Sequence, residues 1–435
     1  MPAYPRLLFA AAQPDICKTE LTCAFLQAAA DRGLLPTAFQ CGAGCGSSAL
    51  HQQIPGVKSR CLDHFLTTEE TMQSLLYADA SNSQLAVLEG GSGFFDGAAG
   101  SDLSSAWDIA SITRTPVVLL LRPQESALTL SAQVQGLLHF RPKSGIQALL
   151  LYSCCAAQYQ VLATVLERET GLPCAGYLPK AEGSTSQDRI QVLVQQLERT
   201  ANMTLLLQIA QSAEPLSPAL LPSQPVTQQA PRIAVAQDDA FCCRFAENLE
   251  LLEHLGAVLI PFSPLADSVL PPCEALYLGG TLPEQYADAL SRNISMRESI
   301  RRVVLDGLPT LAEDGGFLYL GQSIENRSGT SRAMCGVLPG RSFRGKRPQG
   351  GCTRLTVWQD NFLCGKGTHL RVFTAPGQDT DARGADLLFH TENGSQWACG
   401  FAHGSVFASF ARLYFLSEPV LAVNFVQAAA KRIRR

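Results

Sequence analysis

The sequence is short of several features that would assign it to a class at once. Charged residues make up only 17% of its 435 positions, and 34 Lys and Arg nearly balance 38 Asp and Glu, for a net charge of −4. Nucleic-acid surfaces and polybasic membrane patches need an excess of positive charge, so neither partner is expected. No apolar run is long enough to span a bilayer, which also argues against a membrane partner.

A disulfide framework and a zinc-type site are missing as well. The 15 cysteines are scattered along the chain, and pairs such as Cys154-Cys155 and Cys242-Cys243 lie in apolar runs, where buried thiols are the usual interpretation. Cys41 and Cys45 have a loose metal-ligand spacing, but no second pair accompanies them. The sequence therefore predicts a reducing, cytoplasmic location.

The chain is long enough for two domains, and it contains a clear break between them. The stretch from Ser212 to Arg232 holds five prolines and no periodic pattern, as interdomain linkers do. We therefore predict a first domain over residues 1–211, a linker over 212–231 and a second domain over 232–435.

On both sides of this break, short apolar runs alternate with helical patterns. This alternation predicts two α/β domains with mainly parallel sheets, and the stretch from Thr353 to Phe415 is richer in strand-like segments. The predicted strands are Arg6–Ala12, Leu85–Glu89, Pro116–Leu121, Ala148–Tyr152, Cys174–Leu178, Arg232–Ala236, Ala257–Pro261, Glu274–Leu278 and a strand from Leu308 to Ala312.

The first strand and helix, LLFAAAQPDICKTELTCAFLQAAADRG, have the parts of a phosphate-binding loop. Lys18 would neutralise phosphates, and the Thr19 hydroxyl would bind Mg²⁺. The expected glycine positions carry Ala11, Asp15 and Cys17 instead. Because Lys-Thr is common at helix starts, the residues alone favour an ordinary helix start.

A second motif, LAVLEGGSGFFDG, is a strand that ends in Glu89 and is followed by glycines. A carboxylate at the carboxyl end of a parallel strand suits Mg²⁺ binding. The same sequence is also consistent with an exposed acid at a strand end before a flexible loop, and both interpretations stay open.

A third motif, LAEDGGFLYLG, predicts a strand, a sharp corner and a helix, with Asp314 at the corner and Gly315-Gly316 turning at positive φ. Hydrolases place a nucleophile at such a corner. Gly279-Gly280 follows an earlier strand and is a candidate oxyanion hole, through backbone N–H groups.

Taken together, these motifs resemble the cobyrinic acid a,c-diamide synthase family of cobalamin biosynthesis. The resemblance implies a P-loop NTPase-like, ATP-dependent amidoligase domain related to dethiobiotin synthetase, fused to a class I glutamine amidotransferase-like, flavodoxin-like domain. The matching segments, in order, are KTELT, CLDHF, LEGGSGFFDG, TPVVLLL, AGYLPKAE, RIAVAQDDAF, ENLELLEHLGA, PFSPLADSVLPPCEALYLGG, SMRESIRR, LAEDGGFLYLG, MCGVLPGR and GSVFASF.

The family's cofactors and partners follow from this resemblance. ATP would bind through Lys18 and Thr19, Mg²⁺ would bind through Thr19 and Glu89, and the ligand would be a corrinoid. A homodimer and a pairing with an intact paralogue both stay open as oligomeric states.

Two departures affect the amidotransferase half. Asp314 stands where the family has its nucleophilic cysteine, and Arg412 stands where it has a histidine. A carboxylate is a poor nucleophile toward an amide, and a guanidinium remains protonated and cannot act as a base. We therefore predict an inactive glutaminase site in which Asp314 and Arg412 form an ion pair that glycine-corner N–H groups also contact. The alternative is that both side chains are solvated.

The amidoligase half departs from the family too, because the family's acidic segment corresponds to Ala43–Ser48, which holds no carboxylate. Its adenine-reading asparagine falls within Leu150–Ser153. Two functions remain open: an amidoligase that amidates corrin carboxylates with external ammonia, with a degraded ATP site, and a non-catalytic binding or regulatory relative.

Overall fold

The computed structural model describes residues 4–12, 17–44, 46–91, 93–123, 126–216, 225–242, 244–280, 283–345, 350–390 and 394–433. The chain forms two compact units, Met1–Leu221 and Pro222–Arg435. Within the described ranges, every helix is too short or too polar to cross a membrane.

The first unit is built on a seven-stranded parallel sheet in the order β3-β2-β4-β1-β5-β6-β7. Its central strands, such as Val117–Leu121, are buried along their whole length, as expected for strands covered on both faces. Its elements are β1 Arg6–Ala11, α1 Lys18–Asp31, β2 Pro36–Cys41, α2 Gly46–His51, β3 Ser59–Leu62, α3 Glu69–Ala80, β4 Leu85–Glu89, α4 Ala106–Ile112, β5 Val117–Leu121, α5 Ala127–His139, β6 Ile146–Tyr152, α6 Ala156–Thr170, β7 Cys174–Leu178, α7 Ser186–Thr200 and α8 Met203–Gln211.

The strand order sets which loops meet at the end of β4. In the sheet, β4 lies between β1 and β2, and its last residue, Glu89, is level with Phe9 on one side and Gln40 on the other. Because all three strands are parallel, the chain leaves β1 and β2 on the same edge and enters α1 and α2 there. Glu89 is therefore flanked by the starts of two helices.

The second unit has a six-stranded sheet in the order β20-β21-β11-β10-β8-β9, which is parallel except for the edge strand β20. Smaller sheets of four (β13-β12-β14-β17) and five strands (β19-β18-β15-β16-β22) accompany it. The elements are β8 Arg232–Ala236, α9 Ala246–His254, β9 Val258–Phe262, β10 Ala275–Leu278, α10 Ala287–Arg292, α11 Ile294–Leu305, β11 Thr310–Glu313, α12 Gly315–Leu320, β12 Ser323–Glu325, β13 Ser331–Ala333, β14 Arg341–Phe343, β15 Gly351–Val357, β16 His369–Thr374, β17 Asp379–Thr380, β18 Leu387–His390, β19 Gln396–Cys399, β20 Phe401–His403, β21 Val406–Ser409, β22 Ala411–Leu413 and α13 Pro419–Ile433.

The α/β class with two parallel-sheet units is confirmed, and most predicted strands lie within two residues of their observed bounds. Two strands of the first sheet, β2 and β3, were not among the predicted ones. In β2 (PTAFQC) the proline, threonine and glutamine interrupt the apolar pattern, yet all six residues are buried because β2 is an interior strand.

The expectation of buried thiols is only partly correct. Cys154 is buried, but Cys155, at the N-cap of α6, and Cys242, in the loop after β8, are exposed. Cys45 and Cys243 fall outside the described residues.

The ends of the predicted linker are packed against the units. Ala213 and Leu216 are buried, and the Glu214 carbonyl accepts a hydrogen bond from the buried guanidinium of Arg6. On the other side, the Val226 N–H donates to the Leu255 carbonyl at 3.1 Å. Residues 217–224 lie outside the described ranges.

Candidate functional site

Glu89 is the centre of a polar cluster in the first unit. It ends β4, and its side chain is only 5% exposed. The hydroxyl of Thr19, at the second position of α1, donates to Glu89 Oε1 at 2.6 Å. The two residues predicted from separate motifs are thus brought together, because β1 and β4 are neighbours in the sheet.

Two further residues of this cluster, Ser47 and His51, were missed by the sequence analysis. The Ser47 hydroxyl donates to Glu89 Oε1 at 2.9 Å, and His51 Nε2 lies 2.8 Å from Glu89 Oε2. On its other side, His51 Nδ1 lies 3.0 Å from the Ser59 hydroxyl. Both Ser47 and His51 are on α2. Ser47 lies within Ala43–Ser48, the segment that holds no carboxylate, and His51 lies three residues after it. Their four-residue spacing, which places them on one helix face, was the available signal.

These contacts keep Glu89 ionised. Burial alone would raise the pKa of its carboxyl group, but hydrogen bonds from His51, Thr19 and Ser47 outweigh this effect and leave the pKa below its ordinary value. An ionised carboxylate only accepts hydrogen bonds, so His51 Nε2 is the donor.

Lys18, the predicted phosphate ligand, lies at the same edge of the sheet. Its ammonium donates to the carbonyl of Gly91, two residues after Glu89, and burial lowers the pKa of Lys18. Asp15 and the rest of 13–16 lie outside the described residues. The ATP-binding role of Lys18 and Thr19 stays a prediction.

In the second unit, Asp314 occupies the corner between β11 and α12 with φ +47 and ψ −106. The expectation that Gly315-Gly316 supply the positive φ is wrong, since the left-handed residue is Asp314 itself. Both glycines are needed for close packing instead: a Cβ on Gly315 would lie 2.5 Å from the Gly280 carbonyl oxygen, and one on Gly316 would lie 2.0 Å from that of Leu278. The strained conformation of a nucleophile corner is therefore present with a carboxylate on it.

The predicted ion pair between Asp314 and Arg412 is confirmed. Arg412 Nη2 lies 3.0 Å from Asp314 Oδ2, its Nε lies 3.3 Å from the same oxygen, and each side chain is 5% exposed. The solvated alternative is wrong. The Arg412 guanidinium also lies 5.5 Å from the ring centre of Phe373, within the range of a cation–π contact.

We predicted that N–H groups of the glycine corner would also contact the Asp314–Arg412 ion pair. For Gly315 this is wrong, since its N–H donates to the Gly280 carbonyl at 2.6 Å. Gly280 has φ +156, and a Cβ there would lie 2.8 Å from Phe241 Cα. Gly279-Gly280 therefore adjoins the corner, while its role as an oxyanion hole stays a prediction. The next two residues of that motif, 281 and 282, are outside the described ranges.

A buried network that the sequence analysis missed connects the corner to β22. Glu313 accepts hydrogen bonds from the Leu413 N–H at 2.8 Å and from the Tyr277 hydroxyl at 2.9 Å. Asn248 donates to the Leu413 carbonyl at 2.8 Å and to the Tyr277 hydroxyl at 3.3 Å, and it accepts from the Phe415 N–H at 2.8 Å. Burial raises the pKa of Glu313 to about 7. The network holds the strand that carries Arg412 in register with the corner.

Within the described part of the chain, no three His, Cys, Asp or Glu side chains gather as a metal site. Any metal ion at the Glu89 cluster would depend on hydroxyl oxygens as well as on the carboxylate.

Comparison with known proteins finds a family match for the second unit and relatives that cover nearly the whole chain. Residues 232–419 match the CobB/CobQ-like glutamine amidotransferase domain. The cobyrinate a,c-diamide synthases of Dehalococcoides mccartyi (strain CBDB1) and Listeria innocua are each 31% identical, covering 98% of this chain and 98% and 100% of theirs. The enzyme from Salmonella typhimurium is 28% identical over 96% of each chain.

Among solved structures, the MinD cell division protein of Aquifex aeolicus is similar to 49% of this chain and 99% of its own, at 12% identity and a TM-score of 0.33. This similarity is too distant to carry an inference on function.

Proposed function

The chain belongs to the cobyrinate a,c-diamide synthase family, and on this premise we propose that it amidates corrin carboxylates with ATP and free ammonia, without hydrolysing glutamine. The family reaction needs ATP, a corrin carboxylate and a source of nitrogen. We propose that this chain still uses ATP and the corrin carboxylate, and that free ammonia replaces glutamine as the source of nitrogen.

The observation that carries this proposal is the ion pair between Asp314 and Arg412. Glutamine hydrolysis by this class of domain needs a nucleophile and a base that takes its proton. Here the corner carries an acceptor-only carboxylate that is held 3.0 Å from a permanently charged guanidinium. A carboxylate paired in this way is a poor nucleophile toward an amide, and a guanidinium that stays protonated cannot act as the base. We therefore expect ammonia to come from solution.

Two groups of the first unit support the proposed ligase step. The Thr19 hydroxyl and Glu89 Oε1 are 2.6 Å apart, close to the spacing of about 2.9 Å between neighbouring oxygens around an octahedral Mg²⁺. Both residues therefore fit a bound Mg²⁺, which would neutralise charge on the phosphates of ATP. Lys18 would leave the Gly91 carbonyl and bind the same phosphates.

In the proposed reaction, a carboxylate oxygen of the corrin takes the terminal phosphoryl group of ATP, and ADP leaves. Ammonia then attacks the acyl carbon, phosphate departs, and the nitrogen loses a proton to give the amide. The protein's part is to bind and orient these substrates and to exclude water from the activated carboxylate.

The test compares nitrogen donors on the purified chain with Mg²⁺, ATP and cobyrinic acid. Ammonium chloride is expected to give ADP and an amidated corrinoid by mass spectrometry, while glutamine gives no product and no glutamate. Glu89→Gln serves as the matched control, since it keeps the side-chain volume and removes the charge that Mg²⁺ needs. Release of glutamate above the buffer blank would overturn the proposal.

A second candidate is a non-catalytic relative that binds a corrinoid, either as a homodimer or beside an intact paralogue. The observation that favours it is the replacement of glycines by Ala11 and Cys17 around a lysine whose ammonium is already hydrogen-bonded to Gly91. It predicts corrinoid binding by titration calorimetry with no ADP release under either nitrogen donor.

A further inference from the structure

We propose that Ser47 supplies a third oxygen to a metal-binding face at the end of β4, and that His51 is the residue that positions Glu89 for this face. The inference rests on the proposed function, because it concerns the same nucleotide-binding edge. It adds two residues that the sequence motifs did not include.

The helix α2 brings both residues to Glu89 at once. Ser47 and His51 are four residues apart on this helix, so their side chains lie on the same face. The Ser47 hydroxyl contacts Glu89 Oε1, and the His51 ring contacts Oε2. The start of α2 is held in turn by Gln40 of β2, whose Oε1 accepts the Ser48 N–H at 2.9 Å.

The three oxygens form a triangle that matches one face of an octahedron. Thr19 Oγ1 is 2.6 Å from Glu89 Oε1 and 3.2 Å from Ser47 Oγ, and Ser47 Oγ is 2.9 Å from Glu89 Oε1. An octahedral Mg²⁺ with ligands at about 2.05 Å places neighbouring oxygens about 2.9 Å apart. A cation above this triangle would meet one carboxylate oxygen and two hydroxyl oxygens.

His51 restricts Glu89 to one metal-facing oxygen. The imidazole is fully buried and is held between Glu89 Oε2 at 2.8 Å and the Ser59 hydroxyl at 3.0 Å. Its Nε2–H donates to Oε2, while the Thr19 and Ser47 hydroxyls both contact Oε1. His51 therefore acts through Glu89 as a positioning residue, in the way that outer hydrogen-bond partners orient metal ligands.

The first experiment measures Mn²⁺ binding to the full chain without nucleotide, from the electron paramagnetic resonance signal of the free ion. Mn²⁺ is chosen because it prefers the same oxygen ligands as Mg²⁺. Ser47→Ala is expected to weaken Mn²⁺ binding about tenfold or more. Ser48→Ala is the matched control: it removes a hydroxyl from the neighbouring residue, which contacts Gln40 and not Glu89, and is expected to stay within about twofold of wild type.

The second experiment separates positioning from structural support at His51. His51→Leu is expected to weaken Mn²⁺ binding about tenfold, while His51→Gln, whose amide can still donate to Glu89 Oε2, retains most of it. Thermal melting is recorded for each variant. If His51→Leu does not fold, Ser59→Ala replaces it, since that variant frees the far side of the ring and should weaken Mn²⁺ binding severalfold.

The outcomes separate this inference from the proposed function. Mn²⁺ affinity that is equal in Ser47→Ala and Ser48→Ala overturns the role of Ser47, and a folded His51→Leu or Ser59→Ala with wild-type affinity overturns the role of His51. A wild-type chain that does not bind Mn²⁺ overturns both. Loss of Mn²⁺ binding in Ser47→Ala, in a chain that forms no amide from ammonia, supports the inference and sinks the proposed function alone.

Discussion

Glu89 and Asp314 are both buried acids at the carboxyl end of a parallel strand, but their partners differ. Glu89 is the last residue of β4, Asp314 directly follows β11, and each residue is 4% exposed. Glu89 accepts hydrogen bonds from two hydroxyls and an imidazole, whereas Asp314 is paired with the guanidinium of Arg412.

The difference shows that the partners of a buried carboxylate decide whether it remains available for ligands. Hydroxyl groups can turn their lone pairs toward a cation, so Glu89 and its neighbours can accept a metal without a change of fold. At the corner, by contrast, the guanidinium of Arg412 already neutralises the charge of Asp314.

The strongest test of this comparison removes the guanidinium. Arg412→Met leaves Asp314 buried and unpaired, and is expected to destabilise the second unit by about 3–5 kcal/mol. The double variant with Asp314→Ala should lose less than the sum of the single variants, as a thermal-melting cycle would measure.

The control for this cycle is Arg432→Met, whose partner Asp306 is mostly exposed. Loss of such an exposed pair is expected to change stability by no more than about 1 kcal/mol. Additive effects of the Asp314 and Arg412 changes would show that the contact has no energetic role.

The next effect comes from Glu313, the buried neighbour of Asp314. Its pKa in the folded chain is about 7, against an ordinary value of 4.5, so between these pH values the folded state keeps a proton that the unfolded state loses. The stability that this proton adds to the folded state is fully present below pH 4.5 and is lost as the pH rises through about 7. The loss is up to about 3 kcal/mol.

Glu313→Gln mimics the protonated form and should lack this part of the pH dependence. Calorimetric melting of wild type and variant from pH 4 to 8 would show their difference growing across the window, in favour of the variant at high pH. A difference that does not vary with pH would mean that Glu313 has an ordinary pKa.

A smaller effect is expected at Lys18 on the Glu89 side. Lys18→Met removes the lysine of the predicted phosphate-binding loop, and should weaken Mg·ATP binding roughly tenfold to a hundredfold. Lys58→Met, at an exposed position of the same unit, is the control for titration calorimetry. Submicromolar affinity for Mg·ATP that survives Lys18→Met would contradict both the weak site and its dependence on charge.

The smallest expected effect is that of Asp314→Cys, which should leave glutaminase activity at the blank. A thiol at the corner still faces Arg412, which cannot take its proton. The double variant with Arg412→His supplies a base and is the informative comparison. Glutamate release by Asp314→Cys alone would show that some other group acts as the base.

The sequence alone was sufficient to predict much of the fold and several of the contacts. Alternating apolar runs indicated two parallel-sheet units, and the separate motifs around Thr19, Glu89, Asp314 and Arg412 indicated residues that do meet in the fold. The pairing of Asp314 with Arg412 was predictable because opposite charges at facing catalytic positions leave few stable arrangements. Gly279-Gly280 remains a prediction because backbone N–H directions depend on the local turn.

What only the tertiary structure decided was which residues surround each acid. Ser47 and His51 reach Glu89 because β2 is the neighbour of β4 in the sheet, and Tyr277 and Asn248 reach the corner because β10 adjoins β11 and α9 faces β22. Strand order depends on how the whole sheet packs, so the local sequence around a motif does not determine the strand order. The sequence by itself determined which residues carry charge and where strands end; the packing of the sheets decided which partners each charge meets.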